Sequence, residues 1–293
     1  MKAYIFPGQS SQFLGMGGEL FDKYSAFIKE ADDILGYSIK ELCLEDPKKI
    51  LDITLFTQPA LYVVNSLHFF EKALVDSPPD FVAGYSLGEH CALLAAGVYD
   101  FATGLRVVQK RASLMSKATG GRMVTVSGFS EVKVSHIIEQ YSIDNLYIAG
   151  INSPSQIVIA GTVEAINTAK SVFLEEGVRS FTIHDGNGAY HTPLMEETRK
   201  EFLDYISDLP FQKPKIPVVS NVLGAPYAYH RLKERMASQM THTIRWPNVV
   251  TYLLQNGANE IIQIGSSRLL SGWTNQTRRL IHLSRSMNYI HQK

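Results

Sequence analysis

The sequence predicts an α/β protein: a mostly parallel sheet wrapped by helices, with a smaller β-α-β-β-α-β unit set into it. Three observations carry this. Strand-like apolar runs alternate with helix-period segments from the N-terminus to about residue 118. Residues 121–190 change pattern, to short strands in pairs with two intervening helices. Between the apolar run Asp80-Phe81-Val82-Ala83 and the helix-like run Glu89–Ala96 stands Gly84-Tyr85-Ser86-Leu87-Gly88. Strand, sharp turn and helix are the setting in which a serine is thrust out as a nucleophile.

The elements follow in order. Ala3–Phe6 is a short strand that stops at the Pro7-Gly8-Gln9 turn, and helical patterns cover about 19–35 and 57–75. After the glycine-flanked turn, a helix covers about 101–118, with Leu105, Val108, Arg111, Ala112 and Met115 spaced to share one face. In the small unit, Met123–Phe129 and Glu131–Tyr141 read as strand and helix. Leu146–Ile151 and Gln156–Gly161 read as paired strands joined through Asn152-Ser153-Pro154. Val163–Glu176 is a second helix and Arg179–His184 a last strand. That order is the ferredoxin-like pattern. The boundaries expected are therefore 1–120 and 191–293 for the large domain and 121–190 for an inserted subdomain, with a late strand at Ile216–Val222.

Composition narrows the function classes. At 293 residues, 45% hydrophobic and 19% charged, the chain can bury a large core as an ordinary globular protein. Lysine plus arginine equal aspartate plus glutamate at 28 each, so no global charge favours nucleic acid or a membrane surface. Cys43 and Cys91 alone set no disulfide framework, which suits a reducing cytoplasm. The apolar start breaks too early at Pro7-Gly8 for a signal-peptide core, and no apolar run approaches a membrane span. One local bias stands out. After Glu260 there is no acidic residue, while Arg268, Arg278, Arg279, Arg285 and Lys293 follow. A solvated basic helix is the plain reading; a docking face for an acidic partner is the sharper one.

The chemistry centres on Ser86. At a helix N-terminus its hydroxyl lies beside free backbone N–H groups that favour a developing oxyanion. A serine needs a base, and His191 in Gly188-Ala189-Tyr190-His191-Thr192-Pro193 sits where the insert returns to the large domain. Its plain alternative is a capping or buried structural histidine. Asp185, six residues earlier, could complete a triad, or a backbone carbonyl could orient the imidazole; spacing leaves both open. Gln9, in Phe6-Pro7-Gly8-Gln9-Ser10-Ser11-Gln12, follows a strand end, where α/β proteins place ligands. Arg111 is either an arginine snorkelling to solvent or a fork for a substrate carboxylate. No metal site, phosphate loop or dinucleotide fingerprint is evident, and His90 and Cys91 read as packing.

Together these pieces resemble the malonyl-CoA:acyl-carrier-protein transacylase family, and within it the free-standing acyltransferases that serve trans-acyltransferase polyketide synthases. The matching motifs occur in order: Phe6-Pro7-Gly8-Gln9, Thr57-Gln58-Pro59-Ala60-Leu61, Gly84–Glu89, Gln109-Lys110-Arg111 with Leu114-Met115, Asn152-Ser153-Pro154, Ala189-Tyr190-His191, Val219-Ser220-Asn221-Val222 and Arg245-Trp246. The resemblance implies an α/β-hydrolase-like core with a ferredoxin-like insert. It implies Ser86 as nucleophile, His191 as base, Gln9 and the Leu87 N–H as oxyanion hole, and Arg111 as reader of the malonyl carboxylate. Asn152 matches an active-site asparagine, and Gln239 the glutamine whose main-chain carbonyl orients the histidine, which leaves Asp185 without a part. It further implies malonyl-CoA as substrate, no permanently bound cofactor, and a phosphopantetheinylated acyl carrier protein as partner. Departures cluster near the acyl pocket: Tyr85 for histidine, Ser10 for glycine, Tyr190 for phenylalanine, and Gly265-Ser266-Ser267 for Gly-Pro-Gly. Two other outcomes use the same residues differently: an acyl hydrolase that clears stalled chains, and a non-catalytic carrier-docking protein.

Overall fold

A computed structural model describes the backbone of residues 1–290 and the side chains of residues 1–283. Among these residues the strands are β1 (Lys2–Phe6), β2 (Phe81–Gly84), β3 (Gly121–Ser127), β4 (Leu146–Ser153), β5 (Gln156–Thr162), β6 (Ser180–Ile183), β7 (Val218–Val219), β8 (Ile244–Arg245) and β9 (Glu260–Gln263). They form two sheets. One is parallel throughout, in the order β7-β2-β1-β9. The other has the order β6-β3-β5-β4-β8.

The parallel sheet is covered on both faces, and its strands read as unbroken apolar runs for that reason. Ala3–Phe6 is essentially inaccessible. Tyr4 and Phe6 pack with the helices Thr54–Val75 and Phe101–Lys117, while Ala3 and Ile5 pack with Trp246, Val249, Val250 and Leu253. Pro59 lies in the second turn of Thr54–Val75, where it withholds the N–H that would bond the Leu55 carbonyl. The helical stretch expected over 19–35 is broken at Tyr24 into Leu20–Lys23 and Ser25–Leu35.

The second sheet carries its own two helices on one face. Val124, Val126, Ile157 and Ile159 pack against the helices Glu131–Gln140 and Val163–Glu175, through Val134, Ile137, Ile166 and Phe173. The alternate residues Met123, Thr125, Ser127 and Val158 face a cleft, as the period-two alternation of a strand requires. Its strands β3 to β6 have the ferredoxin-like order and pair antiparallel. Two strands were not foreseen: β9, which pairs parallel with β1 at the edge of the first sheet, and β8. Ile244–Arg245 pairs parallel with Gly150–Ile151 on the free edge of β4, so a late segment of the chain extends this sheet. The expected late strand is shorter than Ile216–Val222; only Val218–Val219 ladders with β2. The basic stretch lies mainly in the helix Leu269–Ile290; the Arg285 side chain and Lys293 fall outside the described residues.

Candidate active site

Ser86 stands between β2 and the helix Gly88–Ala95 with φ of 50°, in the left-handed region. The turn is tight because glycines admit it. A Cβ on Gly84 would collide with the Gly88 carbonyl, and one on Gly88 with the carbonyl oxygen of Phe6. His191 also has a left-handed backbone, φ of 63°. Both residues thus hold costly backbone conformations, a feature that concentrates at functional sites.

The two meet directly. Ser86 Oγ lies 2.9 Å from His191 Nε2. His191 Nδ1 lies 2.7 Å from the carbonyl oxygen of Gln239. A carbonyl only accepts, so Nδ1 carries the proton and Nε2 turns its lone pair to the serine. Asp185 is exposed, and the imidazole's second nitrogen is taken by Gln239, so the arrangement is a dyad oriented by the main chain. Burial, then the charge of Arg111, pulls the His191 pKa down to about 4 against the opposing pull of the Gln239 carbonyl. The imidazole is therefore neutral and ready to take a proton at ordinary pH.

Arg111 is not a snorkelling residue. It is 1% exposed, on the inner face of the helix Phe101–Lys117. Nη2 donates to Ser86 Oγ at 3.1 Å and to Gln239 Oε1 at 2.8 Å, and Nη1 donates to Gln58 Oε1. Burial lowers its pKa to about 10, with Glu89 opposing, so it stays a cation.

The remaining residues expected at the site line or underlie the cleft. Leu87 is fully buried at the start of the helix. The N–H groups of Gly88, Glu89 and His90 donate back to Tyr85, Ser86 and Leu87, whereas Leu87 N–H has no such backbone partner among the described residues. Gln9 lines the cleft, but its amide currently donates to Thr54 Oγ1 at 3.1 Å. Asn152, on β4, accepts from Tyr85 OH at 2.5 Å and donates to Gln156 Oε1 at 3.1 Å. The cleft holds about 400 Å³ between the two sheets, with Trp273, Tyr190 and Met115 also on its walls.

Four departures noted in the sequence have places here. Tyr85 packs between Trp246 and Trp273, ring centroids 6.1 and 5.1 Å away. Tyr190 OH reaches Thr54 Oγ1 at 3.3 Å. Ser10 adopts φ of 77° at the cleft, and Ser266 Oγ pairs with His68 Nε2 at 2.7 Å, away from the serine.

Glu89 and the side chain of Gln239 are functional candidates that sequence reasoning missed. Glu89 is buried and accepts from Asn221 N at 2.9 Å, from Asn221 Nδ2, from Tyr227 OH, and from Gln239 Nε2 at 3.1 Å. The signal available was its place in the Gly84–Glu89 motif, but nothing local says which distant donors it meets.

An α/β-hydrolase-like core, a buried serine–histidine pair and an arginine at the same hydroxyl define a class: serine enzymes that work through an acyl ester. The sequence matches the acyl transferase domain over residues 3–277, and the chain belongs to that family. It is 43% identical to the polyketide biosynthesis malonyl CoA-acyl carrier protein transacylase BaeC of Bacillus velezensis, across 98% of this chain and 100% of that one. Its fold superposes on a malonyl CoA-acyl carrier protein transacylase from Burkholderia pseudomallei with a TM-score of 0.92 and 39% identity, over 95% of this chain and 98% of that chain. It also matches a malonyl-transacylase solved in complex with a type II polyketide synthase acyl-carrier protein, with a TM-score of 0.89 and 28% identity, over 94% and 92% of the two chains. Among the described residues no helix is long and apolar enough to cross a membrane.

Proposed function

We propose that this protein moves a malonyl group from malonyl-CoA to the phosphopantetheine thiol of an acyl carrier protein, in polyketide biosynthesis. One observation carries the reading: the Ser86 hydroxyl is met by a neutral base, His191 Nε2, and by a buried guanidinium, Arg111 Nη2. The first suits acyl transfer. The second suits an acyl group that ends in a carboxylate, because a guanidinium fork matches carboxylate geometry. The relatives' names point the same way.

His191 takes the Ser86 proton as Oγ attacks the thioester carbonyl. The N–H of Leu87 and the amide of Gln9, swung from Thr54, stabilise the oxyanion. The carbon–sulfur bond breaks, CoA leaves as a thiol with the proton from His191, and a malonyl-serine ester remains with its carboxylate on Arg111. The carrier's thiol gives its proton to His191 and attacks the ester; Ser86 leaves and regains that proton. Asn152 supports the cleft wall and Gln239 the base. Every step balances with these residues and two thiols.

Residues 1–120 and 191–293 form the large domain in this reading and 121–190 the subdomain that roofs the cleft. The separate apolar clusters of the two sheets support the division. Cytoplasmic chemistry is assigned, in keeping with two free buried thiols and a carrier-protein partner. Intact mass measurement after mixing with malonyl-CoA, then with a carrier protein, tests the reading. A malonyl adduct that moves to the carrier supports it. An adduct formed only with neutral acyl groups and lost to water sinks it in favour of hydrolysis.

A further inference from the structure

Arg111 poses an electrostatic question. It is a buried cation whose three hydrogen bonds all go to neutral oxygens, of Gln58, Ser86 and Gln239. A buried charge without a counter-charge is costly. Glu89 is the buried carboxylate nearest in the network, and it reaches Arg111 through one amide. Gln239 Oε1 accepts from Arg111, while Gln239 Nε2 donates to Glu89 Oε1 at 3.1 Å and to the Ser86 carbonyl at 3.2 Å.

The orientation of that amide is forced. Turned over, its oxygen would face two acceptors, Glu89 and the Ser86 carbonyl, and its NH₂ would face the guanidinium. Burial raises the Glu89 pKa to about 7, against the opposing pull of Asn221, Tyr227, Gln239 and Arg111. Four donors converge on it, and the ionised carboxylate is the form that accepts from all four.

We infer that Glu89 is a positioning residue: through the Gln239 amide it fixes the Arg111 fork beside Ser86 and supplies the fork's negative charge at one remove. The inference rests on the reading of Arg111 as the malonyl carboxylate's partner. The remove is what matters. A carboxylate in direct contact with Arg111 would occupy the donors that the acyl group needs. A relayed one neutralises the buried cation and leaves the fork open. The same residue's main-chain carbonyl aims His191, so base and fork are registered to one point.

Wild type, Glu89→Gln and Gln239→Met are each given malonyl-CoA, acetyl-CoA and a serine-directed fluorophosphonate, and adduct formation is followed by intact mass. Gln239→Met keeps the carbonyl that orients His191, cuts only the side-chain relay, and covers a Glu89→Gln chain that does not fold. In both variants malonyl loading is expected to fall on the order of tenfold to a hundredfold further than reaction with either neutral reagent, the range for a misplaced binding group. Equal losses with all three reagents would make Glu89 a general structural residue and overturn the inference, as would malonyl loading that stays the same or rises. A wild type that takes no malonyl sinks the functional reading instead. A wild type that loads malonyl beside unaffected variants sinks only the relay.

Discussion

The floor and the roof of the cleft are built on opposite terms. The floor, at the end of the parallel sheet, buries a cation, a carboxylate, an imidazole and a hydroxyl within one hydrogen-bonded network. The roof, from the antiparallel strands, sets the apolar Met123, Ala149 and Val158 beside neutral polar side chains such as Thr125, Ser127, Asn152 and Gln156. A charge-reading floor must be exact, because each unpaired buried group is costly. The apolar part of the roof selects by shape, and a hydrophobic wall discriminates weakly between neighbouring sizes. Chemistry and carboxylate recognition therefore belong to the floor, and tolerance of acyl bulk to the roof.

The hardest test of that division is Ser86→Ala. It is expected to lower transfer about 10⁴-fold or more, with no acyl adduct by intact mass and an unchanged melting temperature. Arg111→Ala comes next. Malonyl kcat/KM is expected to fall by about 2–5 kcal/mol equivalent, while acetyl loading holds or rises; equal losses for both would take carboxylate reading away from the floor. A pH profile sharpens the electrostatics. His191 works as a base when neutral, so acetyl loading, which does not use the fork, should be flat through neutrality and fall about tenfold per pH unit below its pKa of about 4. Arg111→Ala removes a cation that depresses this value, so the acid limb should move to higher pH. Met123→Ala in the roof should have the smallest effect. We expect malonyl loading to change by less than about 1 kcal/mol, while larger acyl groups gain about 1–3 kcal/mol per methylene accommodated, in competition assays.

The same contrast explains what the sequence could and could not reveal. The Ser86 turn was legible because its causes are local: two glycines, an apolar strand before and a helix after. Arg111 was legible through helical spacing, which put it on the inner face beside Leu105, Val108 and Ala112. The roof strands were legible by alternation, to within a residue or two at their ends. The floor network was not. Gln239 and Glu89 are 150 positions apart, and no periodicity joins them. The family resemblance supplied the Gln239 carbonyl, but not the work of its side chain. Ile244–Arg245 escaped for a related reason. Two residues carry too little pattern to be read as a strand, and what makes them one is the exposed edge of β4.

That short strand ties the two halves of the cleft more closely than their sequence separation suggests. The chain leaves the Gln239 carbonyl, passes Thr243, whose hydroxyl donates to the Ile148 carbonyl at 2.6 Å, and enters the roof sheet at Ile244. Five residues of fully extended chain span at most about 18 Å. The carbonyl that aims the imidazole is thus leashed to the roof. Roof and proton acceptor are therefore tied by a short length of backbone, and a displacement of one would be felt at the other.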